Sequence, residues 1–158
     1  MPREIPLTKG HVAIVDNADY AHLTRWKWSY SNGYAVRKVQ TATGTKSLGM
    51  HQQLLQTPKG MVTDHINGDK LDNRRANLRV CTYGQNTANR PADRDNKHST
   101  YKGVTLRKGR KANPWSAWIT SGGKRLYLGV FPTDAEAAKA YNAAALRLHG
   151  EYAWLNDV

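Results

Sequence analysis

Residues Asp64–Asn86 read DHINGDKLDNRRANLRVCTYGQN, and this short span gathers an Asp-His pair, four asparagines and three arginines. So polar a stretch buries little apolar surface and is poor material for a core. Its boundaries still read as secondary structure. MVTDHI (61–66) is strand-like, NGDKLDN (67–73) is dense in turn residues, and LRV (78–80) is a second apolar run. In TYGQNTAN (82–89), Thr82 stands three residues before Gln85, a capping-box spacing that opens a helix despite Gly84 in its first turn. The order is strand, loop, strand, helix.

Those side chains suit metal-assisted phosphodiester hydrolysis. Activating water near neutral pH needs a base that titrates there, and His65 is such a group. Charge on the phosphate calls for a hard cation, Mg²⁺ or Mn²⁺, which takes carboxylate and amide oxygens of the kind Asp64 and Asn86 offer. Asn89, three residues on, shares the helix face of Asn86 and is a second candidate ligand. Neighbours on an ideal strand point to opposite faces, so Asp64 and His65 converge only if the strand breaks after Ile66. Asp69, Asp72 and Asn73 read as turn formers.

The whole chain leans basic. Its 158 residues carry 24 Lys and Arg against 12 Asp and Glu, a formal net charge of +12. A polyanion is the leading partner, and a solvated basic surface the bland alternative. One cysteine, Cys81, excludes an intramolecular disulfide and a multi-cysteine zinc site, and reads as a packing residue. No apolar run has the length of a membrane span, and MPREIPLTKG has no signal-peptide core. The expectation is a soluble, cytoplasmic protein of a reducing compartment, in a bacterium or a phage-infected host.

Upstream, HVAIV suits a strand and Asp16 or Asn17 a helix cap. Asn32-Gly33 signals a hairpin between strand-like runs, ATGTK a further turn, and HQQLLQ a short helix. His11, His22 and His51 are expected to stand outside the chemistry. Downstream, Asn89–Thr100 is polar and aperiodic and reads as a linker.

The second half has a different texture. Residues 100–132 hold seven Lys or Arg and no acid. Alternation in VTLRK, WSAWIT and RLYLGVF collects Thr105, Arg107, Trp118, Thr120, Arg125 and Tyr127 on one sheet face. Cationic and aromatic groups there suit a nucleic-acid groove. Lys108 and Lys111, in the turn after the first strand, suit phosphates. TDAEAAKAYNAAALRLHG supplies a covering helix, with Thr133 and Glu136 as capping box and Gly150 as stop. His149 is read as interacting with that helix's C-terminal dipole.

Two family resemblances follow. DH at 64–65, NG at 67–68, DNR at 72–74, NL at 77–78 and QN at 85–86 resemble the His-Asn-His (HNH) nucleases of phage and intron homing endonucleases, and MHQQLL resembles their upstream segment. The resemblance implies a ββα-metal module over about 61–90, with His65 as general base and Asp64 and Asn86 as metal ligands. It also implies that Asn77 ties the loop in place. The last position is often histidine in that family, and the asparagine here favours Mg²⁺ or Mn²⁺ over zinc. YKGV, LGVF, TDAEAAKAYNAAA and GEYAWLN resemble the Apetala-two/ethylene-response-factor domain. That implies a three-stranded sheet in the DNA major groove, with groove residues at Lys102, Arg107, Trp118, Thr120, Arg125 and Tyr127. Several arginines of the plant pattern are Thr, Trp or Tyr here, so no target sequence carries over.

The expected class is α+β: a small mixed platform with a ββα-metal module, then a three-stranded antiparallel sheet backed by one helix. The expected domains are 1–90 (nuclease), 91–99 (linker) and 100–158 (DNA reader). The expected function is a site-specific, metal-dependent DNA endonuclease, acting on double-stranded DNA as a monomer or weak dimer. Its rival is a non-catalytic DNA-binding regulator with a degenerate nuclease scaffold. An RNA-binding protein fits less well, since the sheet lacks the expected aromatic stacking pair.

Overall fold

Turn residues cut the first 82 residues into short strands, as a computed structural model describing residues 1–92 and 98–158 lays out. The chain divides into two compact units, Met1–Thr82 and Tyr83–Val158. In the first, β1 (Pro2–Pro6) pairs antiparallel with β2 (Val12–Asp16), and α1 (Asn17–Leu23) follows at once. β3 (Ser29–Ser31), β4 (Tyr34–Thr41) and β5 (Gly44–Gly49) form an antiparallel meander, and α2 spans Met50–Leu55. Asn32 and Gly33 make the β3–β4 turn with φ of 50° and 88°, the left-handed pair that Asn-Gly adopts most readily. β6 (Val62–His65) and β7 (Leu78–Cys81) close a third antiparallel pair.

The core of this unit lies between the β1–β2 hairpin and the two helices. Ile5, Ala13 and Val15 pack there with Leu23, Met50 and Leu54. Each large aliphatic side chain so buried contributes about 1.5–3 kcal/mol. Trp28 is buried with them, and its indole N–H donates to Leu23 O at 2.9 Å. Two expectations need adjustment. β1 was not legible in MPREIPL, where Pro2 and Pro6 mask a strand that they bound. Asp16 stands at the cap position of α1 but makes no cap bond, because its carboxylate accepts the Arg75 N–H at 2.8 Å.

The second unit begins with α3 (Tyr83–Ala88), whose Ala88 carbonyl accepts the Trp154 N–H at 3.2 Å. β8 (Val104–Leu106), β9 (Trp115–Ser121) and β10 (Lys124–Phe131) form an antiparallel sheet in the order β10-β9-β8. α4 (Asp134–His149) covers one face, burying Ala137, Ala138, Tyr141, Ala144 and Ala145. Its alanines let helix and sheet approach closely, and Thr133 Oγ1 accepts the Glu136 N–H at 3.2 Å. A bulge between Tyr127 and Gly129 breaks the simple alternation expected of RLYLGVF: Leu128 packs into the core while Leu126 is 39 % exposed. The α+β class and the sheet backed by one helix are as expected. Of the expected linker, residues 93–97 lie outside the described residues. Among the described residues no helix is long and apolar enough to cross a membrane.

Candidate active site and nucleic-acid face

The loop between β6 and β7 is polar in sequence yet firmly held. Ile66 N–H donates to Asn77 O at 2.8 Å, and Asn67 N–H to Asn77 Oδ1 at 3.0 Å. The other end of the Asn77 carboxamide donates to Asp72 O at 2.8 Å, so this one buried side chain ties Asn67 to Asp72 while its backbone holds Ile66. Asp72 accepts Arg74 Nε at 2.7 Å and Nη2 at 2.6 Å, which holds its carboxyl below the usual carboxylate range. β2 grips the loop from the core side: Ile14 N–H donates to Leu71 O at 2.8 Å and Asn73 N–H to Ile14 O at 2.7 Å. A segment with little oil is thus built in by hydrogen bonds, with Asp72 and Asn73 fully enclosed.

His65 ends β6 and is 4 % exposed. Its Nε2 lies 3.4 Å from Asn73 Oδ1. Burial pushes its pKa below the ordinary histidine value, against the pull of Asn73 and of Asp64, Asp69 and Asp72. Burial thus favours the neutral imidazole, the form that accepts a proton. Asp64, beside it, pairs across the hairpin with Arg79: Nε at 2.9 Å and Nη2 at 2.8 Å both reach Asp64 Oδ2.

Sequence reasoning missed three residues here. His51, expected outside the chemistry, sets its ring 5.1 Å from that of His65, nearly edge-on, with Tyr34 5.2 Å from His51. Its Nδ1 is buried without a hydrogen bond, and burial with His65 beside it lowers its pKa to about 4. The ring lies so close to Gly49 that a Cβ there would stand 2.5 Å from His51 Cε1. Asn73, read as a turn former, contacts His65. Arg79, on which no expectation rested, engages Asp64. The strand alternation of LRVC and the cross-strand register were the signals available for Arg79, but the register needs the loop length to be known.

The proposed ligand Asn86 lies half-buried on α3 of the second unit, with Asn89 buried just past the end of that helix. Among the described residues no group of three or more His, Cys, Asp or Glu could hold a metal ion. Asp64 carries a carboxylate and Asn86 an amide oxygen, donors of the kind a hydrated hard cation takes.

On the uncovered sheet face of the second unit, four of the expected groove residues come together. Arg125 Cζ lies 4.5 Å from the Trp118 ring centroid, and the Trp118 and Tyr127 rings are 4.8 Å apart. Thr120 is the cross-strand partner of Arg125. Ser116, on the same face, is buried because Trp118 Nε1 donates to its hydroxyl at 3.3 Å. Arg107 continues β8, its N–H donating to Pro114 O at 2.7 Å, and Lys108 and Lys111 are exposed in the connection to β9. Lys102 stands elsewhere: its ammonium donates to Ala88 O at 2.7 Å and Arg90 O at 2.6 Å, at the end of α3.

A family model described as HNH endonuclease matches residues 56–88. The chain is 29 % identical over 157 residues to Uncharacterized HNH endonuclease L560 of Acanthamoeba polyphaga mimivirus, covering 95 % of this chain and 77 % of that protein. It is 43 % identical over 67 residues to Dehydration-responsive element-binding protein 2D of Arabidopsis thaliana, covering 39 % of this chain and 30 % of that one. Against APETALA2-like protein 2 of Oryza sativa subsp. indica the identity is 46 % over 60 residues, 37 % of this chain and 13 % of the plant protein. The chain thus spans about three-quarters of the viral relative and under a third of these plant relatives. No solved structure matches it. The chain is thus similar to HNH endonucleases over residues 56–88 and, over 60–67 residues, to plant Apetala-two-type proteins.

Proposed function

We propose that this protein is a site-specific DNA endonuclease that hydrolyses phosphodiester bonds with one divalent metal and a histidine base, its nuclease module running from residue 1 to 90 and its reader from 100 to 158. The observation that carries the reading is the enclosed His65 at the end of β6, next to Asp64 and within reach of Asn73 Oδ1. With Nε2 turned to Asn73 Oδ1, His65 would act through Nδ1 to take a proton from the attacking water. Asn77 has a positioning role, because its bonds to Asn67 and Asp72 hold the loop that follows the base. Asp64 and Asn86 would hold Mg²⁺ or Mn²⁺, which supplies charge neutralisation at the scissile phosphate. Arg107, Trp118, Thr120, Arg125 and Tyr127 would meet base edges in the major groove, with Lys108 and Lys111 on phosphates. Cytoplasmic DNA is the natural substrate for such a chain, met as a monomer or weak dimer.

The rival reading, a non-catalytic DNA-binding protein, has one observation in its favour: Asp64 is already engaged by Arg79. A plasmid-nicking assay separates the two. Wild-type protein should convert supercoiled DNA only with Mg²⁺ or Mn²⁺, and excess chelator should stop it. Cleavage that persists in chelator would remove the metal from the mechanism; none under any condition would leave the rival.

A further inference from the structure

α3 has six residues, well short of the roughly 12–15 at which an isolated helix becomes even marginally stable in water. Something outside it must hold it, and its last carbonyls have no partners within the helix. Lys102 reaches them. Besides Ala88 and Arg90, its ammonium lies 3.4 Å from Thr87 O, so three carbonyls at this end of α3 lie within its reach. A cation at that end of a helix is also favoured by the helix dipole. The backbone of Lys102 is fixed in turn: its N–H donates to Asn156 Oδ1 at 2.6 Å, and Asn156 Nδ2 donates to its carbonyl at 3.1 Å. Asn156 is bound to α4 through two bonds with Asn142, each 2.8 Å.

We propose that Lys102 is a positioning residue, the clamp through which the Apetala-two-like domain holds α3, and not a groove contact as the family resemblance implies. The consequence for cleavage rests on the reading of Asn86, carried by α3, as a metal ligand. On that reading the reader domain does more than find DNA: it sets the helix on which metal affinity depends.

The test compares the full-length wild type with Lys102→Met. Hydrogen exchange of the amides of residues 85–90 should speed up about tenfold or more, the worth of a charge-assisted hydrogen bond. Affinity for double-stranded DNA should stay within about twofold, with the salt slope unchanged. The Mn²⁺ concentration giving half-maximal nicking should rise several-fold. Unchanged exchange would overturn the clamp, as would a DNA affinity that falls together with a slope smaller by about one, the mark of a phosphate contact. If Lys102→Met does not fold, Asn156→Ala, which leaves the ammonium in place but frees its backbone, should loosen the same amides and keep DNA affinity; unchanged exchange there overturns the proposal equally. If the wild type nicks no DNA, the nuclease reading fails while the exchange measurement still decides the clamp.

Discussion

Replacing Arg79 with methionine tests how the acidic group of the site is held. The Arg79 and Asp64 side chains are only 12 % and 7 % exposed, and both guanidinium contacts, 2.9 Å and 2.8 Å, fall on the same carboxylate oxygen. Methionine matches the stem of arginine and takes the guanidinium away from an enclosed carboxylate. Breaking one side of a buried pair costs about 3–5 kcal/mol. For a unit of this size each kcal/mol is about 4–8 °C of melting temperature, so the transition of the first unit should fall by at least roughly 12 °C. Calorimetry of the full chain would read it. Arg79→Met combined with Asp64→Asn should recover most of the loss, because the carboxylate charge that Arg79 meets is then gone as well. Mn²⁺ should raise the melting temperature of Arg79→Met more than that of the wild type, being then the nearest cation to Asp64. A loss below about 1 kcal/mol, or a double variant no better than the single, would refute the pairing as the support of Asp64.

Gly49→Ala should displace the His51 ring, since the new Cβ would lie 2.5 Å from Cε1, and should lower cleavage without changing DNA affinity as read by titration. Stability should fall with acid: His51 titrates at about 4 in the folded chain against about 6.5 unfolded, so the unfolded state binds more protons between those values. That contribution, about 3 kcal/mol, is intact above pH 6.5 and lost by pH 4, and urea melts of wild type and His51→Phe should diverge over that window. A fragment of residues 83–158 should be more stable than one of 100–158, which lacks α3 and the bonds that Ala88 accepts, as thermal melts would show. Arg125→Ala should cost roughly 1–3 kcal/mol and relax preference at particular base pairs in a binding-site selection. Lys108→Ala should weaken all sequences alike and flatten the salt slope by about one unit.

Much of this was legible because period and punctuation were clear. The alternation of WSAWIT placed Ala117 and Ile119 against the helix, and the Thr133 cap and Gly150 stop bounded α4. What failed depended on partners distant in the chain. Asp16 was read as a cap, yet Arg75, fifty-nine residues later, takes its carboxylate. Asn73 reads as a turn former and His51 as the start of a helix, because local sequence carries no sign that β2 and α2 deliver them to His65. Lys102 matches a family groove position, and no local signal shows that its ammonium reaches Ala88 O and Arg90 O, twelve or more residues earlier.

The central claim is that His65 is the base. In a plasmid-nicking assay at saturating DNA and Mg²⁺, His65→Ala should lose at least about a hundredfold in rate, the usual worth of a positioned base, while its DNA affinity stays within a few fold. Nicking by His65→Ala at close to the wild-type rate would contradict the account.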